Sequence, residues 1–354
     1  ATLRRIAVQG PAEFYGGKTA QLLVAEVSRG SGLITMEDLR EYRAVWRPPV
    51  EFEYRRYHLI SAPPPSSGGL VLALIAGILE EYDLRKMDWH SPEAVHLTAE
   101  AMRRAFALRN RDLGDPDFVP IATDLFLSPE SVNFQRASIS RERATPSADL
   151  KSRGAADSGQ GSTTHLSVVD PAGNAIALTT TLNSWFGSAV VVAGAGFPLN
   201  NEMDDFTTRP GEPNLYGLIH GEANAIEPGK RMLSSLAPTI VMDGDDRPFL
   251  VTGAAGGPRI ISAVFQVLSN VIDHGMTIDQ AVNAPRIHHQ HRPDRISFDP
   301  GGMTGDLVRT LEARGHRVEA YRMYIGFAPS ILRSGDAWSG SGEPRRKGGL
   351  ALGY

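Results

Sequence analysis

Apolar and polar positions along the chain predict its elements one after another. Between Lys18 and Arg29, Leu22 with Ala25 and Leu23 with Val27 keep helical spacing, Gln21 and Glu26 face away, and Gly30 suits the stop. Thr35 can cap a short helix from Met36 to Tyr42, with Asp38 in its first turn. Val50 to Ile60 alternates as a strand or hairpin does. Pro63 to Gly69 reads as a rigid turn leading into an apolar helix, Leu70 to Tyr82. Ser91-Pro92-Glu93 joins a capping serine to a proline at the first helical position, and the amphipathic helix behind it runs to about Arg109.

The pattern then changes. Ser138 to Gly161 holds little that could be buried and much Ser, Arg, Ala, Asp and Gly, so it reads as exposed and mobile. Beyond it, Thr164 to Val169 and Ala175 to Thr181 alternate as two strands around the turn Asp170 to Asn174. Ile240 to Met242 and Phe249 to Thr252 form a second strand pair. Gly256-Gly257-Pro258 opens a helix from Arg259 to about His274. There is no internal repeat and no strict βαβ alternation.

Composition narrows the chemistry. The chain has 354 residues, 42% hydrophobic and 21% charged, as a globular domain does. A net charge of -4 gives no basis for nucleic-acid binding. The absence of cysteine removes disulfides, zinc-thiolate sites and a cysteine nucleophile together. The first residues do not read as a signal peptide. The chain opens inside a helical pattern, so a longer gene product with an upstream segment is expected.

Several motifs fail. Gly16-Gly17-Lys18-Thr19 imitates the end of a phosphate-binding loop, but position 12 is alanine where a glycine is required. No serine sits in a nucleophile elbow. His288-His289-Gln290-His291 with Asp294 could hold a metal, yet Pro285 and Pro293 rule out the regular helix that would fix ligand spacing, and structural histidines are the commoner use. No cofactor is called for.

Thr163 offers a different chemistry. If the bond after Ser162 breaks, the threonine gains an α-amine of pKa about 7.7–8.0, a usable base beside its own hydroxyl. Threonines that start strands are ordinary, so this alone decides nothing. The surrounding blocks do. Thr163-Thr164-His165-Leu166-Ser167-Val168-Val169-Asp170, Thr181-Leu182-Asn183, Leu199 to Phe206, Pro213 to Leu218, Lys230 to Ser235, Gly253 to Ile261, Asn283 to Arg286 and Gly353-Tyr354 resemble the small catalytic subunit of gamma-glutamyltransferases. Gly32 to Leu39 and Pro64 to Gly69 are similar to their large subunit.

The resemblance implies an α+β fold, the four-layer αββα sandwich of N-terminal-nucleophile hydrolases. It also implies self-cleavage before Thr163. Residues 1–162 would be the C-terminal, mostly helical part of the large-subunit region and 163–354 the small subunit, the two pieces staying together as a heterodimer and one structural domain. Glutathione or another γ-glutamyl compound would be the donor, and water, an amino acid or a peptide the acceptor. A periplasmic or extracellular location goes with the family.

By the same resemblance Thr163 is the nucleophile and Thr181 supports it. Asn183, Glu202 and Asp205 hold the substrate's ammonium. Ser234 and Ser235 bind its carboxylate. Gly256 and Gly257 form the oxyanion hole. On residues alone, Ser234-Ser235 also fits a turn or cap, and the glycine pair a plain strand-to-helix turn. Many family members have Gln at the position of Glu202. Residues from about Pro210 to Asn224 resemble a lid loop. The family's carboxylate-clamping arginine comes from upstream of Ala1, and no arginine of this chain is given that role. Alternatives are a cephalosporin or glutaryl acylase or a poly-γ-glutamate processing enzyme of the same fold, or an inactive, unprocessed fragment.

Overall fold

The computed structural model describes residues 1–150 and 161–353. In chain order the helices are α1 (Thr2–Gln9), α2 (Pro11–Gly16), α3 (Lys18–Arg29), α4 (Met36–Glu41), α5 (Gly68–Leu79), α6 (Pro92–Asp112), α7 (Thr123–Phe126), α8 (Pro129–Ala137), α9 (Arg259–Ile272), α10 (Ile278–Asn283) and α11 (Gly305–Ala313). The strands are β1 (Val50–Tyr54), β2 (Tyr57–Ser61), β3 (Gly161–Val169), β4 (Ala175–Ser184), β5 (Thr239–Met242), β6 (Pro248–Thr252), β7 (Ile287–His288), β8 (Ile296–Phe298), β9 (Val318–Ala320), β10 (Ser330–Ser334) and β11 (Ala337–Ser341).

Local signals act where the sequence places them. Thr35 and Asp38 close a reciprocal capping box on α4, Thr35 Oγ1 accepting from the Asp38 amide at 3.2 Å and Asp38 Oδ2 from the Thr35 amide at 2.7 Å. Ser91 caps α6 through the Ala94 amide at 3.3 Å. Helix α6 runs three residues past the expected Arg109. Helix α5 is apolar on every side and buried on every side, from Leu70 to Leu79. Of the hydrophilic stretch expected to be mobile, residues 151–160 lie outside the described residues. The part before them is anchored instead: Ser147 is fully buried, and its amide donates to Asp294 at 2.7 Å.

The strands β1, β2, β5, β6, β10 and β11 form one antiparallel sheet in that order. The neighbours β2 and β5, with Ile60 opposite Ile240, lie on either side of Thr163 in sequence. The sheet therefore draws on both parts of the chain. Leu59, Val241 and Leu250 line up across one of its faces and join the core built by α5, α6 and α9. Ile240, Val251 and Ile331 line up on the opposite face. There the β3–β4 hairpin packs, with Ser167 Oγ donating to the Val251 carbonyl at 3.3 Å.

This hairpin turns its polar side inward. Thr163 and His165 are buried, while the cross-strand pairs Leu166–Leu178 and Val168–Ile176 face out at 43–58% exposure. The result is a mixed α and β fold of helices, sheet and hairpin. No helix among them is long and apolar enough to cross a membrane.

Candidate active site

Thr163 and Thr181 are register partners in the β3–β4 hairpin. Thr163 Oγ1 donates to Thr181 Oγ1 at 3.1 Å. Just before this pair the register slips: Gly161 opposes Ser184, so β4 carries one extra residue. Asn183 takes up that slip with φ 69°, and its amide donates to Thr181 Oγ1 at 2.8 Å. The Thr181 hydroxyl is thereby fixed between the Asn183 amide and the Thr163 hydroxyl. Thr163 is the third residue of β3, so its α-nitrogen lies in a peptide bond with Ser162.

A cleft of about 320 Å³ opens at this point. Thr163, Thr181, Asn183, Glu202, Asp205, Ser234, Ser235 and Gly257 all line it. Of the expected site residues, Gly256 alone is not in the lining. It stands behind Gly257 with φ 142°, where an added Cβ would come within 3.0 Å of Gly326. Gly257 has φ 60°, and a Cβ there would meet the Tyr216 ring at 2.6 Å. Both positions therefore demand glycine. Neither of their N–H groups donates to a partner among the described residues, and α9 begins directly after Pro258. An anion at this spot would meet unused amides at a helix start.

Glu202 and Asp205 project from a single helical turn, Glu202–Asp205. Burial raises the Glu202 pKa, and burial followed by the Glu202 charge pushes Asp205 well above the usual carboxylate range. Glu202 Oε1 is buried without a hydrogen-bond partner. Asn183 lies beside them, but its Oδ1 already accepts from the Tyr216 hydroxyl at 2.6 Å. The site thus gathers two carboxylates, with Arg109 acting on Asp205 and Glu202 Oε1 left unpaired, which suits a cationic ligand group.

Across the cleft, Ser234 and Ser235 sit on a loop pinned by the turn before α5. The Ser234 carbonyl accepts from the Ser67 amide at 2.9 Å and the Ser67 hydroxyl at 2.7 Å, and its amide donates to Pro65 at 3.0 Å. Ser234 Oγ accepts from the Leu236 amide at 3.2 Å, the turn-forming use that the sequence also allowed. Ser235 Oγ accepts from Arg109 at 2.9 Å.

Four residues at the site carry no role in the sequence reading. Tyr216 and Leu218, inside the stretch expected as a lid, are buried in the cleft wall, so this part is packed structure rather than a surface loop. Arg346 donates to the Thr163 carbonyl at 2.7 Å from the chain's last segment. Arg109 is the fourth. The histidine cluster lies elsewhere and its rings diverge. His288 meets Ser262 and Gln290, His291 meets the Ser147 carbonyl, and His289 faces Asp294 at 3.4 Å. No group of acidic or histidine side chains among the described residues is placed to hold a metal.

A family model described as gamma-glutamyltranspeptidase matches residues 1–353. The glutathione hydrolase proenzymes of Pseudomonas sp. (strain A14) and Escherichia coli (strain K12) are 44% and 43% identical over 100% of this chain. Those matches take up 63% and 60% of the two relatives, so the chain spans about three fifths of their length. A solved cephalosporin acylase from Bacillus halodurans superposes with a TM-score of 0.82 at 26% identity, over 97% of this chain and 60% of that one.

Proposed function

The chain belongs to the gamma-glutamyltranspeptidase family, and from that premise we propose that it cleaves γ-glutamyl amides such as glutathione through an ester on Thr163. Cleavage between Ser162 and Thr163 frees the α-amine. The amine takes the Oγ1 proton as the oxygen attacks the amide carbon, and hands it to the departing nitrogen when the C–N bond breaks. Water then attacks the ester and releases glutamate, or an amino acid or peptide takes the acyl group. The amides of Gly256 and Gly257 face the oxyanion, and losing one such donor costs about 2.7–4 kcal/mol of transition-state stabilisation. Thr181 keeps the nucleophile aligned.

The observation that carries this reading is that Thr163 and the carboxylates Glu202 and Asp205, with Glu202 Oε1 unpaired, share one cleft. A γ-glutamyl donor brings an α-ammonium to Glu202 and Asp205, and its carboxylate falls to the Ser234–Ser235 side. A glutaryl donor has no ammonium to offer, so the acylase alternative leaves that charge unanswered. The four-layer sandwich, the two-piece heterodimer and a location outside the cytoplasm are part of the same proposal. The outward apolar face of the β3–β4 hairpin is where a further layer fits.

The test is direct. Purified protein separates on a denaturing gel into two pieces, one of them starting at Thr163, and releases p-nitroaniline from γ-glutamyl-p-nitroanilide. Thr163→Ala stays whole and inactive. Turnover that survives in Thr163→Ala overturns the assignment.

A further inference from the structure

Four arginine side chains in the described structure are under 2% exposed: Arg103, Arg104, Arg109 and Arg286. Three of them meet a carboxylate: Arg103 and Arg104 share Glu100, and Arg286 holds Glu343. Arg109 does not. Its Nε donates to Ser67 Oγ at 2.8 Å, Nη2 to Ser235 Oγ at 2.9 Å, and Nη1 to Asn110 Oδ1 at 2.9 Å and His220 Nε2 at 2.8 Å. Every one of these partners is neutral. The carboxylate that acts on its charge is Asp205, across a gap rather than in direct contact, and Arg109 lies directly behind the cleft.

The two serines on Arg109 are used differently. Ser67 accepts from Nε and spends its own proton on the Ser234 carbonyl at 2.7 Å. Ser235 also accepts from the guanidinium, which is always a donor. Its hydroxyl proton, however, finds no acceptor among the described residues, and Ser235 lines the cleft. That hydroxyl is left with one free function, donation into the cleft. His220 extends the same logic to the other wall. Facing a guanidinium, its Nε2 must accept, and its Nδ1 lies 3.0 Å from Asn224 Nδ2, which donates to the Asp205 carbonyl at 2.7 Å. Arg109 thus touches the serine loop directly and reaches the carboxylate turn through His220 and Asn224.

We propose that Arg109 is the positioning residue for the donor's α-carboxylate: it fixes Ser235 Oγ as an acceptor, turns that hydroxyl's proton toward the cleft, and sets a buried positive charge behind it. This rests on the functional reading above. Arg109 acts through Ser235 and touches no reacting atom, so it governs which donors bind and leaves the chemical step alone.

The experiment compares two anilides in the processed protein. One is γ-glutamyl-p-nitroanilide; the other is 4-aminobutyryl-p-nitroanilide, the same donor without its α-carboxylate. Arg109→Gln and Arg109→Lys are expected to raise KM for the first at least tenfold, with kcat within twofold of the parent, and to leave KM for the second unchanged. In a Ser235→Ala background the Arg109→Gln effect shrinks to less than half on a logarithmic scale. Equal losses on both donors, or full additivity with Ser235→Ala, overturn the proposal. Should neither Arg109 variant fold, Ser235→Ala alone decides. It keeps the charge, so it still prefers the carboxylate donor to its uncharged α-carboxamide, and loss of that preference overturns the proposal. Absence of turnover by the unaltered protein on either anilide would instead overturn the functional reading itself.

Discussion

Glu100 and Glu202 are both glutamates with oxygens closed off from water, and the fold treats them in opposite ways. Around Glu100 every demand is met. Oε1 accepts from Arg103 Nε at 3.0 Å and the Thr145 amide at 3.1 Å, and Oε2 from Arg104 Nη1 at 2.5 Å and the Thr145 hydroxyl at 2.6 Å. Burial works to raise its pKa, but the two guanidiniums prevail and hold it at about 2. Around Glu202 there is another carboxylate, Asp205, one oxygen has no partner, and burial raises the pKa. Burial is common to both, and a cation in direct contact is the difference. A completed cluster is architecture; an incomplete one in a cleft marks where a ligand must finish the arrangement.

The largest effect is expected from breaking the completed side. Glu100→Ala strands the buried Arg104 guanidinium and leaves Arg103 with Asp294 alone, and removing one partner from such a cluster costs about 3–5 kcal/mol. Urea unfolding, followed in a Thr163→Ala background so that the chain stays in one piece, measures it. On the incomplete side the order of effects reverses. Asp205→Asn removes half of a like-charge pair, so stability at neutral pH holds or rises. Binding of donors that carry an α-ammonium weakens by about 1.5–3 kcal/mol, the worth of a hydrogen bond to a charged group. If Asp205→Asn destabilises the fold as much as Glu100→Ala does, the distinction between the two clusters collapses.

The sequence exposes these regions unequally. Capped helices and hairpins are local events, so Thr35 with Asp38 and Ser91 with Pro92 declare α4 and α6 without help from the rest of the chain. Alternation marks β3 and β4 as strands but does not say which side is buried, and the side carrying Thr163, His165 and Ser167 faces the sheet while Leu166 and Val168 face out. The neighbouring of β2 and β5, with Ser61 opposite Thr239, spans too much chain for any periodicity to reveal. At the site, the ordered blocks of residues point to the nucleophile, the carboxylates and the serine pair. Arg109 escapes because arginine near a helix end is usually a solvated cation. One sign was available: Met102, Phe106 and Arg109 are spaced four and three apart, which puts a charge on the apolar stripe of α6.

Acidity separates the clusters by sign. Glu100 titrates lower in the folded chain than its ordinary 4.5, so its contribution is fully present above that value and is lost as pH falls toward about 2. Glu202 and Asp205 titrate higher when folded. The folded state then holds protons that the unfolded chain has released, and stability declines as pH rises through the range between the two states. Unfolding free energies of the Thr163→Ala chain and its Asp205→Asn derivative are therefore expected to differ least in acid and to separate as pH rises, with the derivative the more stable. Curves that run parallel across that range would remove the like-charge pair from the account.

The smallest effect probes how complete the finished cluster is. Arg103 Nη1 donates to Ser147 Oγ at 2.7 Å and also pairs with Asp294, while its Nε holds Glu100. Ser147→Ala takes away one neutral acceptor and leaves both carboxylates in place, so no charge is stranded. The cost is that of an ordinary hydrogen bond, about 1 kcal/mol, several times less than for Glu100→Ala. Donor KM stays unchanged, because Ser147 is no part of the cleft lining. A loss as large as that of Glu100→Ala would mean that Ser147, at the end of the described part of the polar stretch, holds the cluster together rather than decorating it. The carboxylates would then not be what makes this region complete.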